Sequence, residues 1–263
     1  MTAKALVREG LKRFLPTPFY WRFLAWRIGY FDPELRLLPY LCDRTKASID
    51  VGASIGSYTV HLLNHSCKCY AFEPRPDAAV YLAQRLGARP SPRLRVEAVA
   101  LSDHAGEAPL RVLLNDAGRS SIETANRVEQ LGTVEVLNVP TRRLDDYDAI
   151  GPVGCIKIDV EGHEDAVLRG ARRLLLRDHP SLIMEIEERH KRHSVATVSG
   201  YLGELGYRGF FFRDERLQRI ETFSAQTHQD VANIAGNVNR EGRYVNNFLF
   251  FAGAALAGVR HLL

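Results

Sequence analysis

Hydrophobic and polar positions change pattern once along the chain. Up to about residue 45 they read as helical pieces broken around Pro16 and Pro18, because proline inside a helix removes a donor and clashes with the preceding turn. From residue 47 short apolar runs alternate with segments of helical period, as in βαβ units feeding a parallel sheet. The runs predict strands at 47–51, 68–73, 94–99, 154–159, 181–186, 207–213 and 246–251, with helices near 55–64, 76–87, 164–176 and 194–205. Residues 103–147 interrupt this rhythm as an insertion, and the alternation of Leu110 with Val112 and of Val134 with Val136 predicts hairpin strands within it. There is no internal repeat and no low-complexity tract. Together these predict one α/β domain over 46–263, preceded over 1–45 by a helical, basic, aromatic arm.

Composition refines that picture in two places. Apolar residues make up 46% and charged residues 25% of the 263, as in an ordinary globular protein able to bury a core. Residues 1–47 hold nine basic and four acidic side chains, which leaves 26 basic and 27 acidic for the rest, so the pI near 8.9 reports the arm and not the body. Nucleic acid is therefore not an expected partner, since it asks for a basic stripe on the folded domain. The arm also carries Phe19, Tyr20, Trp21, Phe23, Trp26 and Tyr30, interrupted by Arg22 and Arg27. Such a segment docks on the main domain or on a second copy in a homodimer, or lies at a membrane surface. The apolar run Phe248 to Val259 is too short for the roughly 20 residues a span requires. Cys42, Cys67, Cys69 and Cys155 lack zinc-site spacing and read as free thiols, and no secretory signal opens the chain, so a cytoplasmic location is expected.

Candidate chemistry gathers at the strand ends. The first strand, which carries Asp50 and ends at Val51, breaks into Gly52, Ala53, Ser54, Ile55 and Gly56 before a helix, a cradle in which glycine lets the backbone turn sharply and helix amides face a ligand. Its spacing is GxxxG, with Ser54 where a dinucleotide fingerprint has its middle glycine, so a ligand without pyrophosphate is favoured over NAD. Glu73, at the tip of the second strand, is suited to accept both hydroxyl protons of a ribose. Ala100 and Ser102 end the third strand region and can flank an adenine, while Asp103 either meets the adenine amine or caps the turn into Gly106.

The fourth strand runs into Asp159, Glu161, Gly162, His163 and Glu164, and the fifth brings Glu185 beside it. Ligands of open α/β sheets bind beyond the carboxyl ends of strands, where these groups project. Asp159, Glu161, Glu185 and His163 have metal-ligand chemistry, but acids at strand tips are expected here as hydrogen-bond acceptors for substrate, and no metal is assigned. His163 has the intrinsic pKa of a base near neutrality, with Glu185 the alternative base. Glu164 reads as a first-turn acid favoured by the helix dipole, and His190 and His193 as part of a solvated charged run.

The blocks IDVGASIGSYT, YAFEPRP, VALSDHAGE, GRSSI, VPTRRLDDY, IKIDVEGHEDAVLRGA, PSLIMEIEE and NNFLFF resemble, in order and spacing, the FkbM-type methyltransferases over roughly residues 34–250. The resemblance implies a Rossmann-like class I methyltransferase fold, a seven-stranded mostly parallel sheet with helices on both faces and the last strand antiparallel. It further implies S-adenosyl-L-methionine as cofactor and O-methylation of a hydroxyl on a small molecule, sugar or glycan. The expected cofactor residues are then Asp50, Gly52, Ala53, Ser54, Gly56, Glu73, Ala100, Ser102, Asp103 and Asp159, and the expected catalytic ones His163, Glu185, Asp159 and Glu161. Ser54 stands where that family usually carries asparagine, which predicts a cofactor site changed in detail. The opposing class is a methyltransferase-like binding protein without turnover, in a glycan or lipid assembly.

Overall fold

Period-two burial accounts for the sheet. Along β1 (Ala47–Val51), Ala47, Ile49 and Val51 enter one core while Ser48 and Asp50 face the other side, and every residue of the strand is buried. Such two-sided burial is what a parallel sheet covered by helices requires. The computed structural model describes residues 33–86, 93–114, 116–214, 216–235, 238–239 and 244–258. The predicted arm lies, over residues 1–32, outside the described residues.

The main sheet adds β2 (Lys68–Phe72), β3 (Leu94–Glu97), β7 (Val153–Ile158), β8 (Ser181–Glu185), β9 (Arg208–Arg213), β10 (Arg216–Arg219) and β13 (Asn247–Phe251) to β1. Its order is β10-β9-β13-β8-β7-β1-β2-β3. The expected sheet is thus present with one correction: it has eight strands, because β9 folds back on itself as the hairpin strand β10. Strand β13 runs antiparallel to both neighbours, as expected of the last strand. Chain order reverses between β2 and β7, which flank β1, so the crevice at the carboxyl ends of β1 and β7 is the ligand position of this class of sheet.

Helices cover both faces. On one side α1 (Leu38–Leu41) and α2 (Ser57–His65) pack Leu38, Leu41, Tyr58 and Leu62 against Cys69, Cys155, Ile183 and Leu249. On the other, α4 (Glu164–Arg169), α5 (Arg172–Asp178) and α6 (Ser194–Glu204) bury Val167, Leu168, Leu175, Val198 and Leu202 on Ile156, Ile158, Met184 and Phe248. The chain is completed by α3 (Pro76–Leu86), α7 (Ala225–His228), α8 (Gly253–Gly258) and the short ladder of β11 (Ile234–Ala235) with β12 (Val238–Asn239). The single helix predicted over 164–176 is two. Gly170 passes so close to β4 (Ala100–Leu101) and its continuation that a Cβ would stand 2.0 Å from the carbonyl oxygen of Ser102, and its own carbonyl accepts from the Asp145 amide.

The insertion forms a three-stranded sheet in which β6 (Val134–Arg142) lies between β4 and β5 (Gly106–Leu113). The hairpin pairing of β5 with β6 is the one expected, and Leu110, Val112 and Val139 close its small core with Ala100. Among the described residues no helix is long and apolar enough to cross a membrane.

Candidate functional site

Three backbone features shape the crevice at β1. Gly52, at φ 77°, presses against β7, where a Cβ would lie 1.8 Å from the carbonyl oxygen of Asp159. Only glycine permits that approach, and it fixes the loop beside the Asp159 strand tip. Gly52 and Ala53 both donate to the Phe72 carbonyl, and Gly56 starts α2, so the loop is clamped at both ends. Between them Ser54 takes φ 48°, a left-handed conformation that asparagine tolerates better than serine.

The loop is tied to the second strand tip through Glu73. Ser54 donates its amide to Glu73 Oε2 at 2.7 Å and Arg75 donates its amide to Oε1 at 3.0 Å. Burial raises the Glu73 pKa, and the two amides oppose the shift. Each oxygen still has a lone pair for a further donor. Asp50 sits beneath the loop, 2% exposed, and accepts from Thr59 Oγ1 at 2.5 Å. Burial pushes its pKa up to about 6. Its carboxylate therefore anchors α2 to β1.

Sheet register assembles the acid group. Asp50 pairs across from Lys157 in the β1–β7 ladder, and Asn247 pairs with Glu185 between β13 and β8. Lys157, 1% exposed, donates to Asn247 Oδ1 at 3.2 Å, lies 3.8 Å from Asp159 Oδ2 and 4.0 Å from Glu185 Oε2, and stands over the Tyr58 ring at 4.8 Å. Asn246 donates to Glu185 Oε1 at 2.9 Å. One buried ammonium thus serves Asp50, Asp159 and Glu185. Burial and then Glu185 hold the Asp159 carboxyl well above the usual carboxylate range, although the side chain is a third exposed at the crevice. Carboxyl groups thus outnumber the one ammonium near them.

Glu161 belongs to the same acid neighbourhood. It adopts φ 54°, and its carbonyl accepts from Ser121 Oγ and Asn126 Nδ2, both at 2.8 Å, which docks the insertion on this turn. Its carboxyl is raised by burial first, then by Asp159 and Glu185. Oε2 lies 3.0 Å from His190 Nε2 but off the line of a hydrogen bond. His190 corrects the expectation of a solvated run: it is buried in the turn after β8, and burial lowers its pKa to about 4, whereas His193 is exposed. Glu164 is likewise more than a first-turn acid. It is 2% exposed, accepts from the Gly162 amide at 2.9 Å and has its pKa raised to about 7, so burial outweighs the helix dipole.

His163 stands with a different set of partners from Glu185. Its Nε2 is 3.0 Å from Ser102 Oγ, and its Nδ1, which makes no hydrogen bond among the described residues, is 3.6 Å from Glu123 Oε2. Burial lowers its pKa. Ser102 is buried, while Ala100 turns its methyl into the small core of the insertion sheet. Asp103 pairs with His104 at 2.9 Å and Arg169 at 3.1 Å, with its pKa lowered to about 2 chiefly by the His104 hydrogen bond. Sequence reasoning passed over Lys157, Asn247 and Glu123. A lone lysine inside the apolar strand Cys155 Ile156 Lys157 Ile158 was the available signal. Among the described residues no group of three or more acids, histidines or cysteines is arranged to hold a metal ion.

Comparison with known proteins agrees with this architecture. The methyltransferase FkbM of Methylobacillus flagellatus KT shares 17% identity and a TM-score of 0.50 over 88% of this chain. That alignment takes in 48% of the other chain, so this chain spans about half the length of that relative. An rRNA methylase from Streptococcus thermophilus aligns over 84% of this chain and 95% of its own, at 13% identity and TM-score 0.43. A Streptococcus mutans protein described as a methyltransferase, in complex with SAH, aligns over 83% and 94%, at 11% identity and TM-score 0.43. No curated protein matches. The Methyltransferase FkbM domain model matches residues 50–208, which run from Asp50 through the glycine loop, Glu73, the insertion and Glu185, and the chain belongs to that family.

Proposed function

We propose that this protein transfers a methyl group from S-adenosyl-L-methionine to a hydroxyl of a small molecule, sugar or glycan. The observation that carries this reading is the clamp joining Gly52 to Asp159 and Ser54 to Glu73, which puts a carboxylate for a ribose and an acid-rich strand tip on either side of one loop. The residues fit the cofactor on charge as well. Asp159 and Glu185 share one nearby ammonium, and a sulfonium beside Asp159 would favour the charged form that burial and Glu185 disfavour.

When bound, S-adenosyl-L-methionine supplies an electrophilic methyl carbon. Glu73 accepts from the ribose hydroxyls through the lone pairs its two amide partners leave. Asp159 holds the methionine end beside the loop. Glu185, fixed by Asn246 and facing the same crevice, takes the proton that the acceptor hydroxyl gives up. Alignment of acceptor and methyl contributes up to about 7–11 kcal/mol in favourable systems, and a positioned base roughly 10²–10⁴-fold. The test is incubation of the full chain with methyl-labelled cofactor and a panel of sugar, glycan and polyketide hydroxyl acceptors. Label in an ether methyl supports the reading. Label only in a nitrogen or carbon acceptor contradicts O-methylation.

A further inference from the structure

A cleft of about 680 Å³ opens between the insertion and the segment joining β8 to α6, with Glu161 in its lining. Its volume suits a ligand of one or two rings. Arg119, Arg127, Arg189, Lys191 and Arg192 line it, against Glu161 and Glu188. Five cations at one cleft stand out in a body that, without its first 47 residues, holds 26 basic and 27 acidic side chains.

The two acids do not cancel this field. Glu188 turns inward to the start of α6, accepting from the amides of His193 at 2.5 Å and Val195 at 3.1 Å. Glu161 is largely covered, and burial first, then Asp159 and Glu185, push its carboxyl pKa well up, which disfavours its charged form. Three of the cations have partners: Arg189 pairs with Glu187, Lys191 bridges Glu123 and Asp165, and Arg119 leans on Asp116 at 3.5 Å. Arg127 and Arg192 are exposed, and neither side chain makes a hydrogen bond or ion pair among the described residues. Arg127 comes to the cleft from the insertion and Arg192 from the segment joining β8 to α6. No phenylalanine, tyrosine or tryptophan lines it, so it lacks the stacking surface that a neutral sugar or a single-stranded nucleic acid would use.

We propose that this cleft receives a methyl acceptor bearing an anionic group, phosphate or carboxylate, which Arg127 and Arg192 grip while the hydroxyl to be methylated points past Glu161 toward Glu185. This assignment rests on the methyl-transfer reading above and adds the charge of the substrate. Guanidinium groups suit both anions because their paired donors match two oxygens at once.

Calorimetry on the full chain tests it, with glucose 1-phosphate and glucuronate as anionic probes, methyl glucoside as the neutral one, a single-stranded RNA as a competitor class, and SAH titrated separately. The anionic sugars are expected to bind about tenfold or more tighter than methyl glucoside, and to weaken at high salt. The double variant Arg127→Ala/Arg192→Ala should lose about tenfold or more for the anions and keep its SAH affinity. Glucose 1-phosphate bound well and glucuronate poorly, or the reverse, identifies which anion the site prefers and upholds the assignment. Equal binding of neutral and anionic sugars, unchanged anion affinity in the double variant, or binding of RNA with neither sugar anion would overturn it. Absence of SAH binding with arginine-dependent anion binding intact sinks the cofactor reading instead and leaves the anion site standing.

Discussion

The main-chain carbonyl of Asp159 lies where a side chain on residue 52 would have to be: a Cβ on Gly52 would stand 1.8 Å from that oxygen. The glycine loop and the β7 tip are therefore one unit. Gly52→Ala should lower unfolding stability by about 2 kcal/mol or more, because the left-handed φ adds to the clash. Urea titration reads this directly. An unchanged midpoint would mean that the loop does not rest on Asp159.

Glu164 makes stability depend on pH in a defined direction. Its pKa is raised to about 7 from an ordinary value of 4.5, so the folded state retains a proton that the unfolded chain has lost. Stability therefore falls as pH rises from about 4.5 through 7, the sign for an acid whose folded pKa is raised. Glu164→Gln removes that ionisation and keeps an oxygen for the Gly162 amide. The variant should gain about 1–3 kcal/mol over the native chain near pH 8 and little near pH 5. Denaturation at both values decides it; a gain equal at both would refute the burial account.

Lys157 is the ammonium around which Asp50, Asp159 and Glu185 are arranged. Lys157→Met should destabilise the fold by about 3–5 kcal/mol near neutrality, since it leaves buried carboxylates without a cation. The loss should shrink at pH 5, where Asp50, its pKa pushed up to about 6, is mostly protonated. Thermal unfolding at the two pH values checks this, and a pH-independent loss would point to packing alone.

Single-turnover methyl transfer separates the two candidate bases. Glu185 shares Lys157 with Asp159, while His163 faces Ser102 and Glu123. Glu185→Gln is expected to slow the step by roughly 100-fold or more with SAH affinity nearly intact, because proton removal matters in the transition state. His163→Ala should stay within about tenfold of the native rate. The opposite ranking would make His163 the base.

Much of this was legible in the chain because it follows from local rules. Two-sided apolar runs gave the parallel strands, and the break at Gly52 followed by Glu73 at the next strand tip marked both halves of the cradle. What escaped depended on contacts distant in sequence. The helix division at Gly170 comes from the approach of Ser102, 68 positions earlier. The partners of His163 are set by where the insertion docks, through Ser121 and Asn126 on the Glu161 carbonyl. The charge of Lys157 was visible, but its partners Asn247 and Glu185 meet it only through strand order. His190 read as solvated because neighbouring charges dominate its segment, while the fold turns that one ring inward.

Titration calorimetry of the native chain and Glu73→Ala with S-adenosyl-L-methionine, SAH and NAD tests the central claim most directly. Saturable heat with the first two ligands and none with NAD, weakened in the variant by roughly 1.5–3 kcal/mol, is the predicted result. Binding of NAD without either methionine-derived ligand, or a Glu73→Ala variant that holds SAH as tightly as the native chain, would contradict it.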